Sequence, residues 1–170
     1  MTADVSGTAA APWPEPVERV ASFLRDVGAV ARLEQLERDT PTAEGAADAI
    51  GCTLSQIVKS LVLVCDGAPV VALVPGDRKA DTGKVARIMG ARRAAIASAQ
   101  EVVEATGFPP GGVAPFPLER VAAVLVDRSL LRHRMVWAGA GSDRHVVGLS
   151  SSELVRLTRG RVEDLALESP

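Results

Sequence analysis

The chain has 170 residues and a net charge of -2; 47% of it is hydrophobic, only 3% is aromatic, and tyrosine is absent. That length suits one domain whose core is built from Ala, Val, Leu and Ile. The charge disfavours a general DNA coat or a polybasic membrane binder, and the scarcity of rings disfavours base stacking as the main grip on nucleic acid. Residues 1–16 are rich in Ala, Pro and Thr without periodicity and are expected to form a flexible leader to a domain over 17–168. Val17, Val20, Ala21, Leu24 and Val27 recur at helical spacing, and Gly28 supplies the stop. A short strand is expected over 32–37. Thr40-Pro41 opens a second helix with Ala43, Ala46, Ala47 and Ile50 on its apolar face and Gly51 at its end. Thr53 with Gln56 makes a capping box for one further turn.

Two apolar runs, 58–65 and 70–74, flank Asp66-Gly67 and predict a hairpin. Asp81 caps a helix carrying Val85, Ile88 and Met89, a short strand is expected over 93–97, and Ser98 with Glu101 is a capping box for a helix ending at Gly107. After a Gly/Pro-rich stretch, residues 121–126, 135–138 and 145–149 read as strands. Ser150 with Glu153 is a third capping box, for a helix to about Thr158, and 162–167 is a closing strand. Strands and helices do not alternate steadily, which argues against a doubly wound parallel fold. The expected class is α+β (mixed α/β): one domain with a curved, mixed, mainly antiparallel sheet and helices packed outside.

Several familiar motifs fail on spacing. Gly76 and Gly83-Lys84 are six residues apart where a P-loop needs four, and Val85 has no hydroxyl for magnesium. The segment from Gly139 to Arg144 matches half of GxGxxG and leads into a strand, so it reads as a plain loop. Gly148-Leu149-Ser150-Ser151-Ser152 lacks the second glycine of a nucleophile elbow. Cys52, Cys65, His133 and His145 have no metal-ligand spacing, so no metal is expected. No apolar run approaches the ~20 residues of a membrane span, and no signal peptide is apparent; the expected location is the cytoplasm.

Two features survive. Of 19 basic residues only Lys59, Lys79 and Lys84 are lysines, and Lys59 stands at the start of a strand, on the same face as Leu61 and Leu63. Burial there lowers an ammonium's proton affinity, and a chain that otherwise prefers arginine has kept a compact, tunable cation. The second feature is the stretch from Thr106 to Phe116, where Gly111-Gly112 can turn amides toward one point while Pro109, Pro110 and Pro115 stiffen the path. Such a loop suits a carbonyl oxygen or an oxyanion.

With Ala46-Ala47-Asp48-Ala49-Ile50-Gly51, Gln56-Ile57-Val58-Lys59-Ser60-Leu61-Val62, Pro75-Gly76-Asp77-Arg78-Lys79-Ala80-Asp81, Thr106-Gly107, Gly111-Gly112-Val113-Ala114-Pro115, Val124-Leu125-Val126-Asp127 and Leu149-Ser150, the chain resembles the YbaK/ProX-type aminoacyl-tRNA editing family. These are freestanding relatives of the insertion domain of bacterial prolyl-tRNA synthetases. The resemblance implies a trans-editing deacylase that hydrolyses the ester of a mischarged tRNA, a proline tRNA carrying a small amino acid, without metal or cofactor. It implies the 3′ end of that tRNA as partner, with a synthetase as a second candidate. Lys59 matches the family's functional lysine, and Gly111, Gly112, Val113 and Ala114 match the loop whose amides surround the aminoacyl carbonyl. Ser60, Gly107, Phe108, Pro115, Phe116 and Asp127 fall to the substrate-binding set, with Phe116-Pro117 a departure that would reshape the pocket. A non-catalytic module of the same fold that binds tRNA or a synthetase is the alternative.

Overall fold

A computed structural model describes residues 13–168 and the backbone of residues 2–4. Helix α1 (Glu15–Asp26) buries Val17, Val20, Ala21 and Leu24 completely, a 3–4 spacing that places one stripe on the core. Strand β1 (Thr2–Asp4) pairs antiparallel with β2 (Ala31–Gln35). The leader expected over 1–16 is thus interrupted by a strand near its start, and α1 begins two residues before Val17; residues 5–12 lie outside those described. Helix α2 (Ala43–Ile50) starts from Thr42, whose hydroxyl accepts from Gly45 N–H, and ends on Gly51 in the left-handed conformation at φ 82°. Thr53 and Gln56 form the expected capping box on a short 3₁₀ turn, Leu54–Gln56.

The hairpin is present as β3 (Ile57–Cys65) and β4 (Ala68–Pro75). In β4 the side chains are buried on both faces, with Val71 and Leu73 in one cluster and Val70, Ala72 and Val74 in another. That explains its unbroken apolar run. Helix α3 (Thr82–Met89) is capped by Asp81, strand β5 (Ala94–Ile96) pairs with β3, and α4 (Ala99–Thr106) carries the full Ser98/Glu101 box and stops at Gly107. Then come β6 (Ala123–Asp127), a 3₁₀ turn over Arg128–Arg132 that the sequence did not announce, β7 (Met135–Ser142), β8 (His145–Ser150), α5 (Ser151–Thr158) and β9 (Arg161–Glu163).

Among the described residues these strands form one open sheet in the order β1-β2-β8-β7-β3-β4-β6-β9, with β5 beside β3. Five of its pairings are antiparallel and three, β3 with β7, β4 with β6 and β6 with β9, are parallel. The expected mixed, mainly antiparallel architecture is therefore present. Two local expectations are corrected. Ser150 caps α5, but Glu153 does not complete the box, because its carboxylate accepts from Val30 N–H at 2.9 Å and pairs with Arg156. The closing strand over 162–167 shortens to Arg161–Glu163, after which Ala166 makes only a bridge to Ala80.

Candidate active site

The site arises from a split in the sheet. β3 and β7 run parallel and pair only at Ile57 with Trp137 and Val58 with Ala138. Beyond that point they part, and β7 carries an irregularity between Gly139 and Ser142. The crevice so opened is a cavity of about 310 Å³, lined on one side by Lys59, Ser60 and Leu61 and on the other by Ala138, Gly139 and Ser142. Gly111 and Val113 enter from the Gly/Pro loop, Thr42 and Ala46 from α2, and His145 and Val146 from β8.

Lys59 is half-buried and its ammonium donates to the carbonyl of Arg78. Burial pushes its proton affinity below that of an ordinary lysine, helped by Lys79 and opposed by Glu44 and Asp77. Ser60 alternates to the other face, and its Oγ is buried with no hydrogen-bond partner among the described residues. A buried hydroxyl left without a partner costs about 1–3 kcal/mol, so it is poised for a ligand group.

The loop at 109–112 is a tight turn: Gly112 N–H donates to Pro109 O at 2.9 Å, with Gly111 at φ 83°. The Gly112 amide is therefore engaged inside the loop, a correction to its expected place among the donors to a substrate carbonyl. The next amides, of Val113 and the fully buried Ala114, have no acceptor among the described residues. The loop lies directly on β7, since a Cβ on Gly112 would stand 3.0 Å from the Gly141 carbonyl and from Ser142 Cα.

The remaining expected substrate contacts lie elsewhere, and the reasons are packing and hydrogen bonding. Phe108 is fully buried beneath the Arg19 guanidinium, 4.6 Å from its ring centre, and Phe116 stacks on Phe23 at 5.2 Å. Both are core side chains, and Pro115 is buried beside them. Gly107 ends α4, its carbonyl accepting from Arg19 at 3.0 Å. Asp127 is 2% exposed; one carboxylate oxygen accepts from Leu165 N–H at 2.8 Å and the other from Ser129. None of these five lines the cavity, and of the expected loop residues Gly111 and Val113 do while Gly112 and Ala114 do not.

Sequence reasoning missed the opposite wall. His145 is 5% exposed, and its Nδ1 lies 2.6 Å from Ser142 Oγ, the oxygen that accepts from Arg144 N–H at 3.0 Å. Burial, then the neighbouring Arg144, lowers the imidazole's proton affinity against the pull of Asp143, so the ring is neutral at pH 7. The signal was present only as a Ser and a His three apart at a Gly-rich turn, too common a spacing to single out. Among the described residues no group of three His, Cys, Asp or Glu side chains could hold a metal ion, and no helix is long and apolar enough to cross a membrane.

Comparison with known proteins places the chain in a family. Residues 37–157 match the family model described as the aminoacyl-tRNA editing domain. The chain is 36% identical over 131 residues to the uncharacterized protein YwhH of Bacillus subtilis, covering 76% of this chain and 83% of that one. It is 33% identical over 132 residues to the proline–tRNA ligase of Bacillus licheniformis, covering 75% of this chain but only 23% of the ligase. Among solved structures, a candidate trans-editing enzyme for prolyl tRNA synthetase superposes with a TM-score of 0.85 at 34% identity, over 94% of this chain and 100% of that one.

Proposed function

Because the chain belongs to the aminoacyl-tRNA editing domain family, we propose that it is a freestanding deacylase that hydrolyses the ester of a mischarged tRNA, a proline tRNA bearing a small amino acid. The observation that carries this reading is the convergence of Lys59 and Ser60, the 111–113 loop and the Ser142–His145 turn, three segments far apart in sequence, on one crevice. The cavity falls at the lower end of small-molecule sites, and its walls of Ile57, Trp137 and Val146 suit a short side chain better than a long one.

The chemistry follows from where charge develops. Attack of water on the ester turns its carbonyl oxygen into an oxyanion. The Val113 amide, at the cavity wall, supplies a fixed donor for it, such a donor being worth roughly 3–4 kcal/mol in enzymes where one has been removed. Lys59 adds a positive charge whose desolvation strengthens its field, and Ser60 offers a hydroxyl to the aminoacyl group. No step in this sequence calls for a metal. Such an activity has a clear physical use, because one methylene in a binding pocket discriminates by only ~1–3 kcal/mol, so a second, hydrolytic site must remove what the first admits.

The test is a deacylation panel of alanyl, cysteinyl, seryl and threonyl esters on proline tRNA and on other tRNAs. At least one ester is expected to be released, with Lys59→Ala slowing release about a hundredfold. Equal rates for the two proteins would remove Lys59 from the mechanism, and tight binding without turnover of any ester would favour a recognition module instead.

A further inference from the structure

The carbonyl that receives the Lys59 ammonium belongs to Arg78, and the segment that contains it is held from outside by the C-terminal residues 164–167. Leu167 N–H donates to Lys79 O at 2.8 Å, the Arg78 guanidinium returns a bond to Leu167 O at 2.8 Å, and Ala80 bridges Ala166. Asp81 N–H donates to Leu165 O at 2.7 Å. The strap is itself fixed at three points. The Leu165 side chain is fully buried in the cluster with Leu63 and Val74, its N–H is taken by Asp127, and Lys84 Nζ reaches both Asp164 Oδ2 at 3.1 Å and Ala166 O at 2.8 Å. The strap itself lies beyond residue 157, where the match to the family model ends, while the residues it holds lie within the match.

We propose that residues 164–167 form a positioning strap for Lys59, with Lys84 and Asp127 as the positioning residues that seat it. The physical reason is geometric. A lysine side chain has four rotatable bonds, and its ammonium stays at a crevice wall only while a fixed acceptor holds it there. The acceptor here is a carbonyl in the connection between β4 and α3, whose first half is closed by Arg78 N–H to Pro75 O at 3.1 Å and whose second half, residues 79–81, is pinned by a second chain segment. Asp127, expected from the resemblance to meet substrate, acts instead through Leu165. This inference rests on the proposed deacylase for its kinetic consequence but not for its structural one.

The scarcity of lysine makes it measurable, because a chain labelled with ¹³C at lysine Cε gives only three side-chain signals. In the intact protein the Lys59 signal is expected to report a more restricted side chain than the exposed Lys79. Lys84→Met keeps the stem and removes both bonds to the strap; Lys59 should then become as mobile as Lys79, and kcat for ester release should fall about tenfold to a hundredfold with KM changed little. Lys84→Arg should restore both. Leu167→Pro, at an exposed position, removes the donor to Lys79 O and should act in the same direction, which keeps the test open if Lys84→Met folds poorly. Unchanged Lys59 mobility in both variants overturns the strap, as does a loosened Lys59 with undiminished kcat. If the unaltered protein releases no ester, the deacylase reading fails, and the mobility comparison decides the strap alone.

Discussion

Ser142 Oγ and His145 Nδ1 stand 2.6 Å apart across the turn that joins β7 to β8, on the wall of the crevice facing Lys59. The turn is braced from the other side. Thr40 N–H and hydroxyl both donate to Asp143 O, and Leu36 N–H donates to Arg144 O, so the approach to α2 and the histidine turn form one unit. A buried neutral imidazole held in this way couples the stability of the site to pH.

The first prediction concerns that coupling. Burial and Arg144 depress the folded-state proton affinity of His145, so below its ordinary value of about 6.5 the unfolded chain binds the extra proton more readily. The stabilisation is fully present above that value and is lost as the pH falls toward the lowered folded one. Urea unfolding at pH 7.5 and 5.5 should show a loss of stability on acidification that His145→Gln reduces. An identical loss in the variant would mean that His145 is not the titrating group.

A second prediction separates function from stability at Ser60. Its buried Oγ lacks a partner among the described residues, so Ser60→Ala removes an unsatisfied group and should leave the unfolding free energy unchanged or raise it by up to ~1 kcal/mol. Deacylation should fall about tenfold, the value of one lost hydrogen bond to substrate. Loss of stability would show instead that the hydroxyl is satisfied within the protein.

Legibility in the sequence followed the range of the forces involved. Helices α3 and α4 could be placed because Asp81 and Ser98 cap them from within three residues, and α2 from its apolar face and the Gly51 stop, although its cap is Thr42 and not the expected Thr40-Pro41 start. The β3–β4 hairpin announced itself through Asp66-Gly67. What escaped depends on partners distant in sequence: the parallel pairing of β3 with β7 that ends after two residue pairs, the diversion of Glu153 from its box to Val30, and the bond from Asp127 to Leu165. Lys59 was found because it is chemically conspicuous on an apolar strand. Ser142 and His145 were not, because nothing local distinguishes them from an ordinary turn.

A third prediction tests the contact between the loop and β7. A Cβ on Gly112 would meet backbone atoms of Gly141 and Ser142 at 3.0 Å, and backbone cannot rotate aside as a side chain would. Gly112→Ala should therefore lift the loop from the crevice wall, costing about 1–3 kcal/mol of stability and a larger share of deacylation than that loss explains. The comparison of thermal unfolding with the rate below the transition reads both. A folded variant with full activity would show that the Val113 amide need not be held against β7.

The last prediction follows from the charge on Lys59 itself. Burial lowers its folded-state proton affinity below the ordinary lysine value of about 10.4, so between the two the unfolded chain holds more protons than the folded one. Raising the pH through that window should stabilise the protein relative to Lys59→Met, in which the titration is absent. Activity should run the other way, because the protonated form carries the charge the oxyanion needs. Ester release, corrected for the spontaneous alkaline hydrolysis of aminoacyl-tRNA, should decline at a pH below that expected for an exposed lysine. Opposite slopes for stability and rate over one pH interval would place a single group behind both; a rate that climbs through that interval after correction would assign Lys59 to its neutral form.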